Sequence, residues 1–313
     1  MTHYAKAAYL PGELIHSDVC GPFPNSITNL RYFVLFRDDY SGYRLIYFMK
    51  AKSEVKQKLE QMILEARNAG HTIKTLLSDN GGEYDNKDVR EILAKNGIKQ
   101  RLTMPYTPEQ NTCCERDHRT LVEAARTIMY SGEGFPQALW AEIVNTVTYV
   151  INRTGPSRVE NKSPFEIWNG KKPKISHLKI IGGTCYAHIP KQKRQKLSKK
   201  ALKGRLVGYD NDDGYRIWAA IENNRYRLIR SRDVIFDEKP LNGENSEIKV
   251  PLKYRDLKPN ELEIKIVSPE SRPTLNFGVP VPNDLPIYRQ ENTSPFEFRE
   301  ENEVEDSKAE ASS

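Results

Sequence analysis

Apolar and polar positions divide the first half of the chain into short strands and amphipathic helices. An apolar run ends at Asp18 and is broken by a Cys-Gly-Pro sequence, which predicts a strand followed by a turn. Aromatic and β-branched runs at 32–36 and 43–49 are joined by the sequence DDYSG, a pattern typical of a hairpin. The next apolar positions recur at i, i+4, i+7, i+8 and i+11. This spacing predicts a helix lying on a sheet, with Ser53 as its cap and Gly70 as its end.

The elements that follow determine the fold class. A strand at 73–78 precedes the polar loop DNGGEY. A helix, a strand and two more helices come next, with predicted bounds of 88–96, 98–102, 111–130 and 136–153. Strand, hairpin, helix and strand in this order predict an α/β fold in which helices flank a mixed sheet.

The pattern changes after a predicted connector that carries Trp168. Short strand-like runs separated by turns predict a small all-β domain, with strands at 185–189, 204–209, 215–219, 225–229 and 233–236. Beyond Pro240 the chain is rich in Pro, Glu, Asn and Ser, which predicts a mostly disordered tail. The expected organisation is an N-terminal segment (1–10), an α/β domain (11–175), a β domain (176–240) and the tail (241–313).

Charge is unevenly distributed along the 313 residues, although the net charge is only +6. Residues 171–205 contain twelve Lys or Arg and no acid, whereas 291–313 contain eight acids and two bases. This asymmetry indicates a polyanion-binding region joined to a solvated acidic tail; the alternative is a lysine-rich face that is merely solvated. The candidate phosphate-binding residues are Lys191, Lys193, Arg194, Lys196, Lys199 and Lys200.

Nothing in the sequence predicts secretion or membrane insertion. The N-terminal segment lacks the apolar region of a signal peptide, and no apolar run approaches the roughly 18 residues that a spanning helix requires. Four cysteines without a C-x-x-C pair fit neither a disulfide framework nor a zinc ribbon. We therefore expect an intracellular protein in a reducing compartment.

Three acidic residues are the candidate site. Asp18 ends one strand, Asp79 follows another, and Glu115 lies on a helix after 35 intervening residues. Carboxylates brought together from separate elements raise each other's pKa unless cations neutralise them, so such a cluster predicts a divalent-metal site. Hard oxygen ligands suit Mg²⁺ or Mn²⁺, and two ions per site could support displacement at phosphorus.

Composition alone leaves other interpretations open. Asp18 and Asp79 lie near glycines and could be turn residues, and Glu115 could be a solvated helix residue paired with Arg119. By composition, three further acids are equal candidates: Asp38, Asp39 and Glu83.

Several stretches of the sequence favour the first three acids, because together they match one known family. The stretches are HSDVCGP from His16, DDYSGY from Asp38, SDNGGEY from Ser78, PYTPEQN from Pro105, ERDHRTLVEAARTI from Glu115, ALWAEIVNTVTYVINR from Ala138 and SPFEIWNGKKP from Ser163. In these stretches, which cover about half the chain in the family's order, the chain resembles the integrase region of copia-type long-terminal-repeat retrotransposon polyproteins. In the β domain, CYAHIP from Cys185 and SRDVIFDE from Ser231 are similar to the SH3-like domain of the same polyproteins.

The resemblance implies a ribonuclease-H-like catalytic core at 11–175 followed by an SH3-like β-barrel. Asp18, Asp79 and Glu115 would be the catalytic, metal-binding triad of an integrase with nuclease and strand-transfer activity. The expected cofactor is Mg²⁺ or Mn²⁺, two per site. The expected partners are element-end DNA, target DNA and further copies of the chain, with no membrane, in the nucleus and cytoplasm.

The sequence also departs from the family. Thr112, Cys113 and Cys114 stand where the family has Gly and small residues, and Asp117 is expected to place a negative charge near the DNA backbone. The zinc-binding module that precedes the core in the family, and the protease and reverse transcriptase regions, are not found, so we expect a fragment or a decayed copy. Two alternatives to an active integrase remain: a catalytically silent nucleic-acid-binding remnant and a structure-specific nuclease.

Overall fold

The computed structural model describes residues 10–103, 112–131, 134–210, 214–221, 225–238 and 288–289. The predicted N-terminal segment, the loop PYTPEQN and the predicted tail lie outside the described residues, apart from one residue of the segment, Leu10, and the two tail residues at 288–289. The strands of the described part are β1 (Leu14–Cys20), β2 (Tyr32–Asp38), β3 (Arg44–Met49), β4 (Thr75–Ser78), β5 (Lys99–Leu102), β6 (Thr184–His188), β7 (Ala201–Asp210), β8 (Gly214–Ala220), β9 (Arg225–Ser231), β10 (Val234–Phe236) and β11 (Tyr288–Arg289). The α-helices are α1 (Val55–Asn68), α2 (Lys87–Lys95), α3 (Thr112–Tyr130), α4 (Trp140–Thr154) and α5 (Pro164–Asn169).

The first sheet has the strand order β3-β2-β1-β4-β5. The hairpin pairing of β2 with β3 is antiparallel, as is that of β1 with β2, whereas β1, β4 and β5 run parallel. The predicted mixed α/β fold is therefore confirmed. Parallel pairing matters for the site, because β1 and β4 end at the same edge of the sheet.

Helices cover both faces of this sheet. On β2, Val34 and Phe36 pack into the cluster that contains α1, and Phe33 and Leu35 pack into the cluster that contains α3 and α4. Successive strand residues point to opposite faces, so burial on both sides explains why β2 is a nearly continuous apolar run.

Two local predictions about helices were wrong. Ser53 does not cap α1, because it lies within a 3₁₀ turn (Lys52–Glu54) and Glu54 is the N-cap residue. The Glu54 carboxylate instead accepts hydrogen bonds from the backbone N–H groups of Lys50 and Ala51 at 3.0 and 3.1 Å. The apolar face of α1 is as predicted: Val55, Leu59, Met62, Ile63 and Ala66 are all buried.

Trp168 lies in a short helix rather than in a connector. Ser163 caps α5 by accepting a hydrogen bond from the N–H of Glu166 at 3.2 Å, and Pro164 occupies the first turn. Gly170 ends the helix with a φ of 66°. These are ordinary start and stop signals, and the indole they position stacks on Tyr43 with ring centroids 5.3 Å apart.

The second sheet is antiparallel, in the order β10-β6-β7-β8-β9-β11, and packs directly on the α/β domain. Its residues Val207, Trp218 and Leu228 share one apolar cluster with α3 and α4. The Thr146 hydroxyl on α4 donates to the carbonyl of Val207 at 2.7 Å, and Glu142 pairs with Arg216 at 2.6 Å. Because α4 lies between the two sheets, eleven of its fifteen residues are buried.

No helix within the described ranges combines the length and the apolar character needed to cross a membrane.

Candidate active site

The register of β1 and β4 brings Asp18 and Asp79 to the same edge of the sheet. His16 lies opposite Leu77 in the parallel ladder, and each acid comes two residues after its member of that pair. Both carboxylates are partly buried. Continuing the register by two residues therefore aligns Asp18 with Asp79 on adjacent strands.

Buried contacts fix the loop that carries Asp79. The hydroxyls of Ser17 on β1 and Tyr84 in the loop are 2.5 Å apart, and Tyr84 is fully buried. Within the loop, the Asp79 carboxylate accepts a hydrogen bond from the N–H of Gly81 at 3.2 Å, and the Gly81 carbonyl accepts one from Tyr84 at 2.9 Å. The loop is thereby attached to the strand that carries Asp18.

Helix α3 brings the third acid to this edge. Glu115 lies in the first turn and is exposed. One turn later, Nδ1 of His118 lies 3.4 Å from Oδ2 of Asp18, and the imidazole edge meets the ring of Phe33 on β2. Glu115 is solvated, as the alternative interpretation expects, but no ion pair between Glu115 and Arg119 is present in the described part of the chain.

The charges of the other two acids act on the Asp18 carboxylate. Burial is the largest cause that raises the pKa of Asp18, to about 7, and a hydrogen bond from the N–H of Val19 opposes it. The charges of Asp79, Glu115 and Glu83 raise the pKa further. Ionising Asp18 therefore costs free energy in the metal-free protein, and a divalent cation would remove that cost. The chemistry of this donor set fits Mg²⁺ or Mn²⁺.

The side chains do not form a finished coordination set. Among the described residues, no group of three or more His, Cys, Asp or Glu side chains is arranged closely enough to hold a metal ion. Asp18 and Asp79 are anchored on the sheet, whereas Glu115 is an exposed, longer side chain on the first turn of a helix.

Other acids that composition left as candidates have structural partners. Asp38 is buried and accepts hydrogen bonds from the N–H and hydroxyl of Ser41 at 2.7 and 2.6 Å. Asp39 lies 3.3 Å from His16 and 3.0 Å from Arg158. These two carboxylates organise the β2–β3 turn and its surroundings.

Glu83 lies at the rim of the site and pairs with Lys52 at 2.9 Å. Burial is the largest single influence and raises the pKa of Glu83, but the Lys52 hydrogen bond, a backbone hydrogen bond and the Lys52 charge together outweigh it, so the pKa is lowered. Glu83 is thus kept ionised by a lysine, beside the candidate triad.

Asp117 is buried and its charge is paired, which the sequence did not predict. It is 5% exposed and lies between two arginines, with Arg37 at 2.9 Å and Arg44 at 2.6 Å. Arg44 is held in turn by Asn152 of α4, whose side-chain amide exchanges two hydrogen bonds with its backbone at 2.9 and 2.7 Å. Asp117 therefore anchors the helix that carries Glu115.

The two cysteines before Glu115 have different surroundings. Cys114 is fully buried in the apolar cluster under α3, which explains a small apolar residue there. Cys113 is half-buried beside His16 and Arg37, and a hydrogen bond from Cys114, together with these two bases, lowers the pKa of its thiol. All four cysteines are free thiols.

Sequence reasoning missed His118. Its signal was its position three residues after Glu115, which places both side chains on one face of a helix. Burial lowers the pKa of His118 to about 4, so the imidazole is neutral at physiological pH. The neutral imidazole packs beside the Asp18 carboxylate, with Nδ1 3.4 Å from Oδ2, and so restricts the position of that carboxylate.

The predicted basic residues lie between β6 and β7. Arg194 is half-buried. The other five are exposed: Lys191, Lys193, Lys196, Lys199 and Lys200. A backbone hydrogen bond from Ile189 to the carbonyl of Lys200 closes the loop at 2.9 Å. No acid interrupts this segment.

Comparison with known proteins agrees with this architecture. The integrase core domain family matches residues 8–108, and the retroviral polymerase SH3-like domain family matches residues 184–250. The chain is 38% identical over 229 residues to the Retrovirus-related Pol polyprotein from transposon TNT 1-94 of Nicotiana tabacum, a match covering 72% of this chain and 17% of that protein. It is 35% identical over 230 residues to the corresponding polyprotein from transposon RE2 of Arabidopsis thaliana, covering 73% of this chain and 16% of that one.

Among solved structures, a chain of the simian T-cell lymphotropic virus intasome in complex with PP2A regulatory subunit B56 gamma aligns with a TM-score of 0.45 and 16% identity. The alignment covers 76% of this chain and 82% of that chain. At this TM-score the likeness adds nothing to the assignment, which rests on the family matches and the relatives.

These findings define a protein with a ribonuclease-H-like integrase core followed by a retroviral SH3-like domain. The chain belongs to the integrase region of copia-type retrotransposon Pol polyproteins. It spans 17% and 16% of the length of the two relatives named above. Integrase core domains form a family of metal-dependent polynucleotidyl transferases.

Proposed function

We propose that this chain processes the 3′ ends of element DNA and joins them to target DNA, with Asp18, Asp79 and Glu115 as its catalytic, metal-binding residues. The observation that supports this most strongly is the register of β1 and β4, which brings Asp18 and Asp79 to the same edge of the sheet. The charges of Asp79 and Glu115 both contribute to the raised pKa of Asp18.

Each residue has a distinct role in the proposal. Asp18 would be a ligand of both metal ions, while Asp79 and Glu115 would each hold one. When bound, the divalent cations would activate an attacking oxygen and stabilise a leaving oxygen in a displacement at phosphorus. His118 restricts the position of Asp18, and the Ser17–Tyr84 contact holds the loop of Asp79.

End processing and strand transfer use the same kind of displacement at phosphorus. In end processing, a water oxygen forms a bond to phosphorus, loses its proton to solvent, and the bond to the 3′ oxygen of the retained strand breaks, so this strand leaves with a 3′ hydroxyl. In strand transfer, that hydroxyl oxygen attacks a target phosphodiester and displaces its 3′ oxygen. Neither reaction forms a covalent bond to the protein.

The proposed partners are element-end DNA, target DNA and further copies of the chain. Lys191, Lys193, Arg194, Lys196, Lys199 and Lys200 would contact phosphates, since each such contact releases counterions and makes binding salt-dependent. The expected cofactor is Mg²⁺ or Mn²⁺, two per site, and the expected sites of action are the nucleus and cytoplasm.

Joining of a labelled duplex to a plasmid in the presence of Mn²⁺ tests the proposal. We expect Asp79→Asn to abolish joining and to leave duplex binding intact, because the substitution keeps the shape of the side chain and removes its charge. Asp85→Asn, in the same loop but at an exposed position, is the matched control and should join normally. Unchanged joining by Asp79→Asn would refute the role of this residue.

A silent nucleic-acid-binding remnant is the second candidate. It is favoured by the incomplete coordination set among the described residues. A remnant would bind duplex with a normal salt slope and join nothing at any Mn²⁺ concentration, whereas a structure-specific nuclease would cut branched DNA without joining ends.

A further inference from the structure

The basic loop between β6 and β7 has an unusual apex. A backbone hydrogen bond from Ser198 to the carbonyl of Gln195, 3.2 Å long, closes a four-residue turn. Leu197 occupies its third position with a φ of 69°. Its side chain is fully exposed, at 107% of the reference area.

Contacts within the described part of the chain account for neither the positive φ of Leu197 nor its exposed apolar side chain. The third position of a turn with positive φ favours glycine or asparagine, because a Cβ is disfavoured in the left-handed region. A leucine that buried its side chain could offset this cost, but this one buries none. Local strain combined with an exposed apolar side chain is typical of a binding element.

The surroundings indicate what Leu197 would contact. Six bases and no acid lie within 191–200, so the apex is surrounded by positive charge. Docking in an apolar groove of another protein would require these cations to lose their water. A DNA duplex instead provides phosphates for the Lys and Arg side chains and stacked nucleobases for the leucine side chain.

We propose that Leu197 is an apolar wedge that enters the minor groove of duplex DNA between adjacent base pairs, while the flanking Lys and Arg side chains bind the phosphates on either side. Leucine is among the residues that unstack base steps in this way, and the resulting kinks bend the duplex by roughly 20–90°. The inference rests on the proposed function, because it assumes that this loop contacts DNA.

Fixed packing of the β domain makes such a bend useful. The Arg205 guanidinium lies over the Phe135 ring at 4.0 Å and its Nη1 donates to the Gly134 carbonyl. Together with the Thr146 and Glu142 contacts, this holds the loop at a set position relative to the acids. A kink at Leu197 would therefore direct one arm of the duplex relative to the integrase core.

The test measures bending of a 30-base-pair duplex labelled at both ends, by energy transfer, with the full chain and with EDTA present to prevent cleavage. We expect wild-type protein to increase transfer at saturation. Leu197→Gly should abolish that increase, weaken binding severalfold and leave the slope of log affinity against log salt unchanged, because no phosphate contact is lost. Glycine suits the turn, so failure to fold is not the expected reason for the loss.

Two further variants complete the test. Leu197→Phe should restore bending, since an aromatic wedge can replace leucine. Leu64→Ala removes another exposed leucine, on α1, and should behave as wild type. Equal bending by wild type and Leu197→Gly would overturn the wedge while leaving DNA binding intact, whereas absence of salt-dependent binding by wild type would overturn both proposals.

Discussion

Replacing Asp117 by Ala should lower the free energy of unfolding more than replacing any exposed charged residue. The side chains of Asp117, Arg44 and Arg37 are 7%, 10% and 22% exposed, and both arginines pair with this one carboxylate. Asp117→Ala leaves two poorly solvated guanidiniums without a counter-charge. Breaking a buried pair in this way costs about 3–5 kcal/mol.

The assay is urea denaturation of the full chain, followed by tryptophan fluorescence. Because both domains share one apolar cluster, we expect a single transition. The matched control is Glu123→Ala on the same helix, whose partner Arg126 is 2.8 Å away but exposed; it should lose less than about 1 kcal/mol. A loss below about 1 kcal/mol for Asp117→Ala would refute the proposed anchoring of α3.

Three more predictions concern packing, the loop and the metal. Gly208→Ala should lower the melting temperature, because its Cβ would lie 2.3 Å from Oγ1 of Thr146, and adding Thr146→Ala should recover part of the loss; no recovery would contradict this contact. Tyr84→Phe should lower the free energy of unfolding by about 1–2 kcal/mol, since it removes the buried hydrogen bond between the Tyr84 and Ser17 hydroxyls; an unchanged urea midpoint would argue against that bond. The pKa of Asp18 is raised from 3.8 to about 7 in the folded, metal-free protein, so between these pH values the folded protein keeps a proton that the unfolded chain releases. The contribution of Asp18 to metal-free stability therefore falls as pH rises from 3.8 to about 7. Because Mg²⁺ binds the ionised carboxylate, it should raise the melting temperature more at pH 8 than at pH 6. A larger Mg²⁺ effect at pH 6 would contradict the assignment.

The sequence predicted the elements better than their contacts. The periodicity of α1 and the continuous apolar run of β2 are local consequences of burial, so both could be predicted from the sequence. The ion pairs of Asp117 were not predicted, because an acid on a helix reveals nothing about arginines that come from β2 and β3, far away in sequence. Its burial depends on the packing of α3 against that hairpin.

The site was predictable only in part for the same reason. Spacing and family resemblance selected Asp18, Asp79 and Glu115, and strand register explains why the first two lie side by side. The contact of His118 with Asp18 depends on the packing of α3 against β1, which the sequence of α3 does not specify. The packing of α4 between two sheets likewise could not be read from its own sequence, which predicts a buried helix but not its partners.

Binding of Mn²⁺ to the purified chain, counted per molecule by electron paramagnetic resonance, tests the role of the three acids without DNA or turnover. We expect wild-type protein to bind Mn²⁺ at neutral pH and Asp18→Asn to lose that binding with its fold unchanged by circular dichroism. Equal Mn²⁺ binding by both proteins would contradict the metal-binding role of this edge of the sheet.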